Sequence, residues 1–164
     1  QEMHIMPDPN ELSAPLKEFL LKVANREIPF WSTIGREVVD VKSGWARVRV
    51  RFGQHLINAN GVMHGGAVFS AADAATAVAL RSLLAEGERT ATTELKINFI
   101  KPVAEFDIVA EATIVHRGRH TAVGDVTVTD AAGSLVAKAL TTYAITRITR
   151  KPGSRAAETQ KKEP

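Results

Sequence analysis

Residues 65–85 constrain what this chain can fold into more than any other segment does. They begin with two glycines and continue mostly as alanine, valine and leucine, with Asp73 as the single carboxylate. This composition predicts a helix that is apolar around most of its circumference, and such a helix must be buried. The rest of the chain must therefore supply a surface wide enough to cover it.

Alternation of apolar and polar residues predicts six strands, two before the long helix and four after it. The strands are predicted over REVVDVK, GWARVRVRF, TATTELKINFIKPV, FDIVAEATIVHRG, HTAVGDVTVTDAAG and SLVAKALTTYAITR. Turn signals at Arg117-Gly118 and at residues 130–133 favour antiparallel pairing. A further helix is predicted over about residues 11–26, with Ser13 at its start, and IPFWSTIG is interpreted as an apolar turn. This order of elements predicts an α+β fold in which one antiparallel sheet covers the long helix.

The length and charge of the chain indicate one domain with a basic end. The 164 residues suffice for a single domain with a substantial core. Residues 150–164 hold five of the 21 basic and two of the 18 acidic side chains, so the net charge of +3 belongs to this segment. We expect a flexible lead-in over residues 1–10, a folded domain over 11–149 and a disordered basic tail over 150–164. A neutral body with an aromatic-poor tail does not indicate nucleic-acid binding.

Several classes of function lack their usual residues in this sequence. The absence of cysteine excludes disulfides and thiolate catalysis. His55, His116 and His120 have no acidic residues at metal-ligand spacing, so no metal site is predicted. The sequence has neither a glycine-rich phosphate loop nor a nucleophile elbow, and we expect no cofactor. With no signal-peptide pattern and no uncharged apolar run of about 18 residues, we expect a cytoplasmic protein without a membrane span.

The polar candidates for chemistry surround the start of the long helix. Gly65 and Gly66 leave backbone N–H groups uncovered at a positive helix end, which suits an oxyanion or a polarised carbonyl. Asn58 lies in the preceding loop, and its amide is a donor that does not titrate. Asp73 is costly on a buried helix unless it is paired or used. Two structural alternatives remain open, namely a tight turn at the glycines and a polar helix face at Asp73 that meets solvent or a subunit interface.

The stretch NANGVMHGGAVFSAADAA resembles the signature of the PaaI-type acyl-CoA thioesterases of the hotdog superfamily. In that signature an Asn precedes a Gly, an HGG triplet and an Asp in the central helix. The matching positions here are Asn58, Gly61, His64, Gly65, Gly66 and Asp73. The resemblance covers roughly residues 12–148. It also places Thr92 where relatives often have a Ser or Thr near the thioester.

The resemblance implies a hotdog fold that dimerises through its edge strands and often pairs again to a tetramer. It implies hydrolysis of an acyl-CoA to a free acid and CoA, without a cofactor. In the family the Gly65 position and the Asn58 position polarise the carbonyl, and the Asp73 position acts as general base or nucleophile. Two alternatives stay open. One is a non-catalytic acyl-CoA-binding module, and the other is a hydratase or dehydratase, which the lack of a second carboxylate near His64 disfavours.

The predicted substrate contacts extend beyond this signature. Gly66, Arg117, Gly118 and Arg119 are the candidates for binding the substrate, with the two arginines facing the CoA phosphates; the alternative is a solvated turn. Small residues on the helix suggest room for an aromatic or medium-chain acyl group, namely Ala67, Ala71, Ala72, Ala74 and Ala75.

Helix geometry separates the two halves of the predicted site. Gly65 and Asp73 lie eight residues apart, which is about 12 Å along a helix. One thioester cannot contact both groups of the same chain. We therefore expect a dimer with shared sites, in which one chain supplies Asn58, His64 and Gly65 and the other supplies Asp73 and Thr92.

Overall fold

The computed structural model of the protein describes residues 10–147. Within this range the chain forms helices α1 (Ala14–Ala24), α2 (Pro29–Thr33) and α3 (Gly65–Arg81) and strands β1 (Arg36–Lys42), β2 (Trp45–Val50), β3 (Glu88–Phe99), β4 (Ile108–Arg117), β5 (Thr121–Asp130) and β6 (Leu135–Arg147). A short 3₁₀ turn, Gln54–Leu56, precedes α3. The segments predicted as a disordered tail and, up to residue 9, as a flexible lead-in lie outside the described residues.

The six strands form one antiparallel sheet in the order β1-β2-β4-β5-β6-β3. The antiparallel pairing and the six strands that the alternation predicts are confirmed. The chain crosses from β3 to β4 without pairing them, because β3 lies at the far edge of the sheet beside β6. This leaves β1 and β3 as the two edges of the sheet within the described residues.

Helix α3 packs against the concave side of the sheet, as its apolar sequence predicts. Ala71, Ala72 and Ala75 are fully buried, and the sheet contributes Val48 and Val126 to the same core. These alanines therefore bring helix and sheet close together and do not leave room for an acyl group. Of the five small residues suggested above, Ala67 and Ala74 line cavities.

The structure differs from the sequence prediction in each of the three helices of the described range. The predicted turn IPFWSTIG contains α2, which starts at Pro29 and is too short for a hydrophobic period to reveal it. Helix α1 spans 14–24 rather than 11–26. Helix α3 ends at Arg81 rather than near 85, where the Ser82 hydroxyl accepts a hydrogen bond from the Gly44 N–H at 2.8 Å. None of the helices in the described range is long and apolar enough to cross a membrane.

Helix α3 and edge strand β3 run side by side in opposite directions. The start of β3 lies near the end of α3, because Thr90 and Arg81 line one cavity. The end of β3 lies near the start of α3, where the Phe99 ring covers Gly65. A bulge between Thr92 and Glu94 shifts the register of β3 against β6. We call the surface between these two elements the α3–β3 groove.

Candidate active site

Asp73 lies half-buried on α3 at the middle of the α3–β3 groove. The Thr92 hydroxyl donates a hydrogen bond to Asp73 Oδ1 at 2.8 Å. The Tyr143 hydroxyl lies 2.6 Å from the same oxygen and 2.8 Å from the backbone carbonyl oxygen of Asp73. Asp73 is therefore paired, as its cost on a buried helix leads one to expect. It is a carboxylate oriented by two hydroxyl groups, with its second oxygen left for other partners.

Tyr143 is the site residue that sequence reasoning missed. It lies on β6 and is only 2% exposed. Burial raises the pKa of the Tyr143 phenol strongly, and the hydrogen bond to Asp73 raises it further. The phenol therefore stays protonated and remains a donor to the carboxylate. The available signal was that this is the single tyrosine of the sequence, since a buried tyrosine usually finds a polar partner for its hydroxyl.

Replacing Tyr143 with phenylalanine is expected to lower kcat about 10-fold or more while changing KM little. The substitution keeps the ring and removes one donor to an ionised group, which is typically worth about 1.5–3 kcal/mol. Tyr143 is buried and its hydroxyl contacts Asp73, so we expect it to act through Asp73 and ground-state binding to persist. Steady-state kinetics on a thioester substrate test this, with thermal unfolding to verify folding. A rise in KM at unchanged kcat would contradict the positioning role.

The two glycines at the start of α3 have different roles. The Gly66 N–H donates to His64 Nδ1 at 2.8 Å, so His64 caps the helix. The Gly65 N–H has no hydrogen-bond partner within residues 10–147. Neither glycine has a positive φ, so a left-handed turn does not explain them. A Cβ at Gly65 would come within 3.2 Å of the Phe99 ring, and this tight contact favours glycine by close packing.

Asn58 lies beside the open Gly65 N–H. Its side-chain oxygen accepts hydrogen bonds from the N–H groups of Asn60 and Val62, which leaves the NH₂ group without a partner in the described part of the chain. Asn58 and Gly65 line the same cavity of about 280 Å³. Two donors thus lie together where a carbonyl oxygen could accept from both.

His64 and Gly66 line a different cavity, of about 410 Å³, together with His55 and Phe30. The structure therefore brings Asn58 and Gly65 together but directs the His64 side chain away from them. The role that the geometry shows for His64 is the helix cap.

The predicted CoA contacts lie at the end of β4 and in the turn that follows it, in the same row of paired residues as Tyr143 and Thr92. Arg117 is opposite Ala122, which is opposite Tyr143, which is opposite Thr92. The Arg117 guanidinium pairs with Glu88 and lowers the pKa of that carboxyl group. The charge of Arg117 is therefore already balanced by Glu88, which makes Arg117 a weaker candidate than Arg119 for contact with a phosphate.

The rest of that turn is more open. Arg119 is exposed, and its Nε donates to His120 at 2.9 Å. The Gly118 N–H bonds to the Thr121 carbonyl, which closes the turn.

Comparison with known proteins identifies the family. Residues 60–137 match the family model described as the thioesterase superfamily. A Saccharolobus solfataricus protein named "Putative esterase SSO1253" is 37% identical over 118 residues, which cover 71% of this chain and 77% of that protein. The chain belongs to the thioesterase superfamily.

Two further comparisons place this thioesterase near the PaaI proteins. The acyl-coenzyme A thioesterase PaaI of Escherichia coli is 30% identical over 94 residues, 57% of this chain and 65% of PaaI. The solved structure of the E. coli PaaI protein superposes with a TM-score of 0.72 and 25% identity, covering 83% of this chain and 96% of that one. The predicted hotdog fold and PaaI-type resemblance are confirmed, and the protein is a thioester hydrolase.

Proposed function

We propose that this thioesterase hydrolyses acyl-CoA to a free acid and CoA at a site shared by two chains. The observation that carries the proposal is the orientation of Asp73 by Tyr143 and Thr92 at an open groove. A carboxylate held in this way can act on a reacting group in the groove. The similarity to the acyl-coenzyme A thioesterase PaaI supports CoA as the carrier.

The proposed chemistry uses two groups of residues. The Gly65 N–H and the Asn58 amide donate to the thioester oxygen and stabilise the charge that develops on it. In one route Asp73 of the other chain removes a proton from water as the water oxygen attacks the carbonyl carbon; the C–S bond then breaks, and the departing CoA thiolate takes up that proton. In the other route Asp73 attacks the carbon itself, and the C–S bond breaks to leave an anhydride and the CoA thiolate. Water then cleaves the anhydride to the acid and the Asp73 carboxylate, and its proton goes to the thiolate.

The exposed edge of the sheet supports the shared-site arrangement. Strand β3 is 12 residues long and has no neighbour on its outer side within the described residues. Such an edge is a template for pairing with another strand. If two β3 strands pair in antiparallel orientation, the start of α3 of one chain lies opposite the end of α3 of the other. Asp73 of one chain can then approach Gly65 of its partner.

A panel of aromatic and medium-chain acyl-CoA substrates, compared by kcat/KM, tests the proposed function. Release of free CoA thiol with at least one member of the panel is expected. Saturable binding without release would favour an acyl-CoA-binding module. Hydration of an enoyl-CoA without thiol release would favour a hydratase.

Arg119 is proposed to contact the CoA phosphates from the turn between β4 and β5. Arg119→Glu is expected to raise KM about 10-fold for acyl-CoA and much less for a short thioester without the nucleotide, because charge reversal repels phosphate. The two KM ratios measure this. The matched control is Arg51→Glu, on the exposed arginine that follows β2. Equal effects of Arg119→Glu on both thioesters would argue against phosphate contact.

A further inference from the structure

A further cavity begins at Ala74, the residue that follows Asp73 on α3, and residues of α1 and α2 line it as well. Its volume is about 200 Å³. Its floor is the α3 segment that follows Asp73, including Ala74 and Ala77, and its opposite wall includes Thr90, two residues before Thr92. The remaining wall is mostly apolar and comes from Val23, Ala24, Ile28, Trp31, Val78 and Leu84. The cavity therefore extends from Ala74, next to Asp73, toward the C-terminal end of α3.

Three arginines line this otherwise apolar cavity, and no acidic side chain among residues 10–147 lines it with them. They are Arg26, Arg36 and Arg81. None of the three forms an ion pair within the described part of the chain. Many other cations of the domain do, such as Lys101 with Asp130. The cavity thus has a positive lining without a counter-charge.

Arg36 is the deepest of these cations. Its guanidinium carbon lies 4.8 Å from the centre of the Trp31 ring, and one terminal nitrogen donates to the Ala24 carbonyl. Its Nε is buried and has no hydrogen-bond partner within residues 10–147, and burial lowers the pKa of the group. A buried donor without an acceptor is costly. An anionic ligand in the cavity would supply the counter-charge that this guanidinium lacks among the described residues.

We propose, on the basis of the proposed function, that this cavity binds the acyl group and that the arginines select acyl groups with a carboxylate at the far end. The apolar wall fits the chain of such a group, and a guanidinium fits a carboxylate in a bidentate geometry. Arg81 lies eight residues beyond Asp73, about 12 Å along α3. With the thioester at Asp73, an acyl group of medium length therefore brings its far end to the arginines.

The size of the cavity favours an acyl carboxylate over the CoA phosphates as the anion. A volume of about 200 Å³ is below the roughly 300–1,000 Å³ of pockets for larger ligands, so a nucleotide diphosphate does not fit. Arg26 and Arg81 also border a wider surface depression of about 680 Å³, whose lining further includes Arg89, Glu86 and Glu88. Two carboxylates oppose three arginines there, whereas no carboxylate lines the cavity, so the cavity is the better site for one carboxylate.

The test compares adipoyl and hexanoyl thioesters, which differ in the terminal carboxylate, on two carriers, CoA and N-acetylcysteamine. The variant is the double substitution Arg26→Gln and Arg81→Gln, because both side chains are exposed at the rim and their loss spares the core. Lys22→Gln on α1 is the matched control, since it removes an exposed cation that does not line the cavity. Arg36→Gln, verified for folding by its Tm, is a second variant.

We expect the double variant to raise KM for both adipoyl thioesters about 10-fold or more and to leave both hexanoyl thioesters within about twofold. Lys22→Gln is expected to match the wild type. A raised KM for both CoA thioesters, with unchanged KM for both N-acetylcysteamine thioesters, would assign the arginines to the CoA phosphates and overturn the proposal. Equal changes in KM for all four substrates, or no change in KM for any of them, would also overturn the proposal. Neither result would contradict the hydrolase function. No turnover of any thioester by the wild type would refute the proposed function itself and this inference with it.

Discussion

Substituting Asp73 with asparagine or alanine is expected to abolish thioester hydrolysis while the fold persists. Asparagine can neither take a proton from water nor attack a carbonyl, and general-base assistance alone is typically worth about 10²–10⁴-fold in rate. The Tyr143 hydroxyl loses Oδ1 in the alanine variant but keeps the carbonyl oxygen of residue 73, 2.8 Å away. No buried donor is orphaned, so stability is expected to change little.

The measurement is kcat on the best substrate of the acyl-CoA panel, with thermal unfolding as the check on folding. Asp125→Asn is the matched control, because Asp125 is a half-exposed carboxylate on β5 that pairs with Lys138, outside the α3–β3 groove. It is expected to keep the wild-type kcat. Wild-type kcat in either Asp73 variant would refute the assignment of Asp73.

The elements that depend on local patterns could be predicted from the sequence, and the contacts between distant segments could not. The apolar run after Gly65 indicates a buried helix because all the residues that carry this signal lie in one continuous segment of 17 residues. Tyr143 is 70 residues from the Asp73 it orients, and nothing in the pattern of β6 shows which helix residue it faces. The position of β3 at the far edge of the sheet creates the groove. The alternation of apolar and polar residues in β3 predicts a strand but not its place in the strand order.

His64 shows why a motif does not fix the direction of each side chain. The HGG triplet suggests that His64 acts beside Gly65. In the structure its Nδ1 accepts from the Gly66 N–H at 2.8 Å, because a helix start has unsatisfied N–H groups that a neighbouring acceptor can cap; a role beside Gly65 stays a prediction. The same motif correctly indicates the uncovered Gly65 N–H. Arg36 and Trp31 have a contact that no motif indicates. Trp31 lies on α2, a short helix that the sequence pattern does not reveal.

Mixing an Asp73→Ala chain with an Asn58→Ala chain is expected to restore activity that neither homodimer has. The Asp73 and Gly65 positions are separated by about 12 Å of helix in one chain, so under the proposed function we expect each site to require two chains. In a mixed dimer one site combines both lesions and the other is intact. With random exchange about half of the dimers are mixed, so about a quarter of all sites are expected to work.

The reference mixture combines wild type with the double variant Asp73→Ala, Asn58→Ala, in which each site of a mixed dimer carries one lesion. That mixture is expected to show about a quarter of the wild-type activity, from the wild-type homodimers that remain. Subunit exchange is verified by mass spectrometry of tagged chains, because a pair that does not exchange cannot complement. Proven exchange without recovery would refute the shared site. Full activity in a monomeric preparation would do so as well, since it would require one chain to bring its own Asp73 and Gly65 to the same carbonyl.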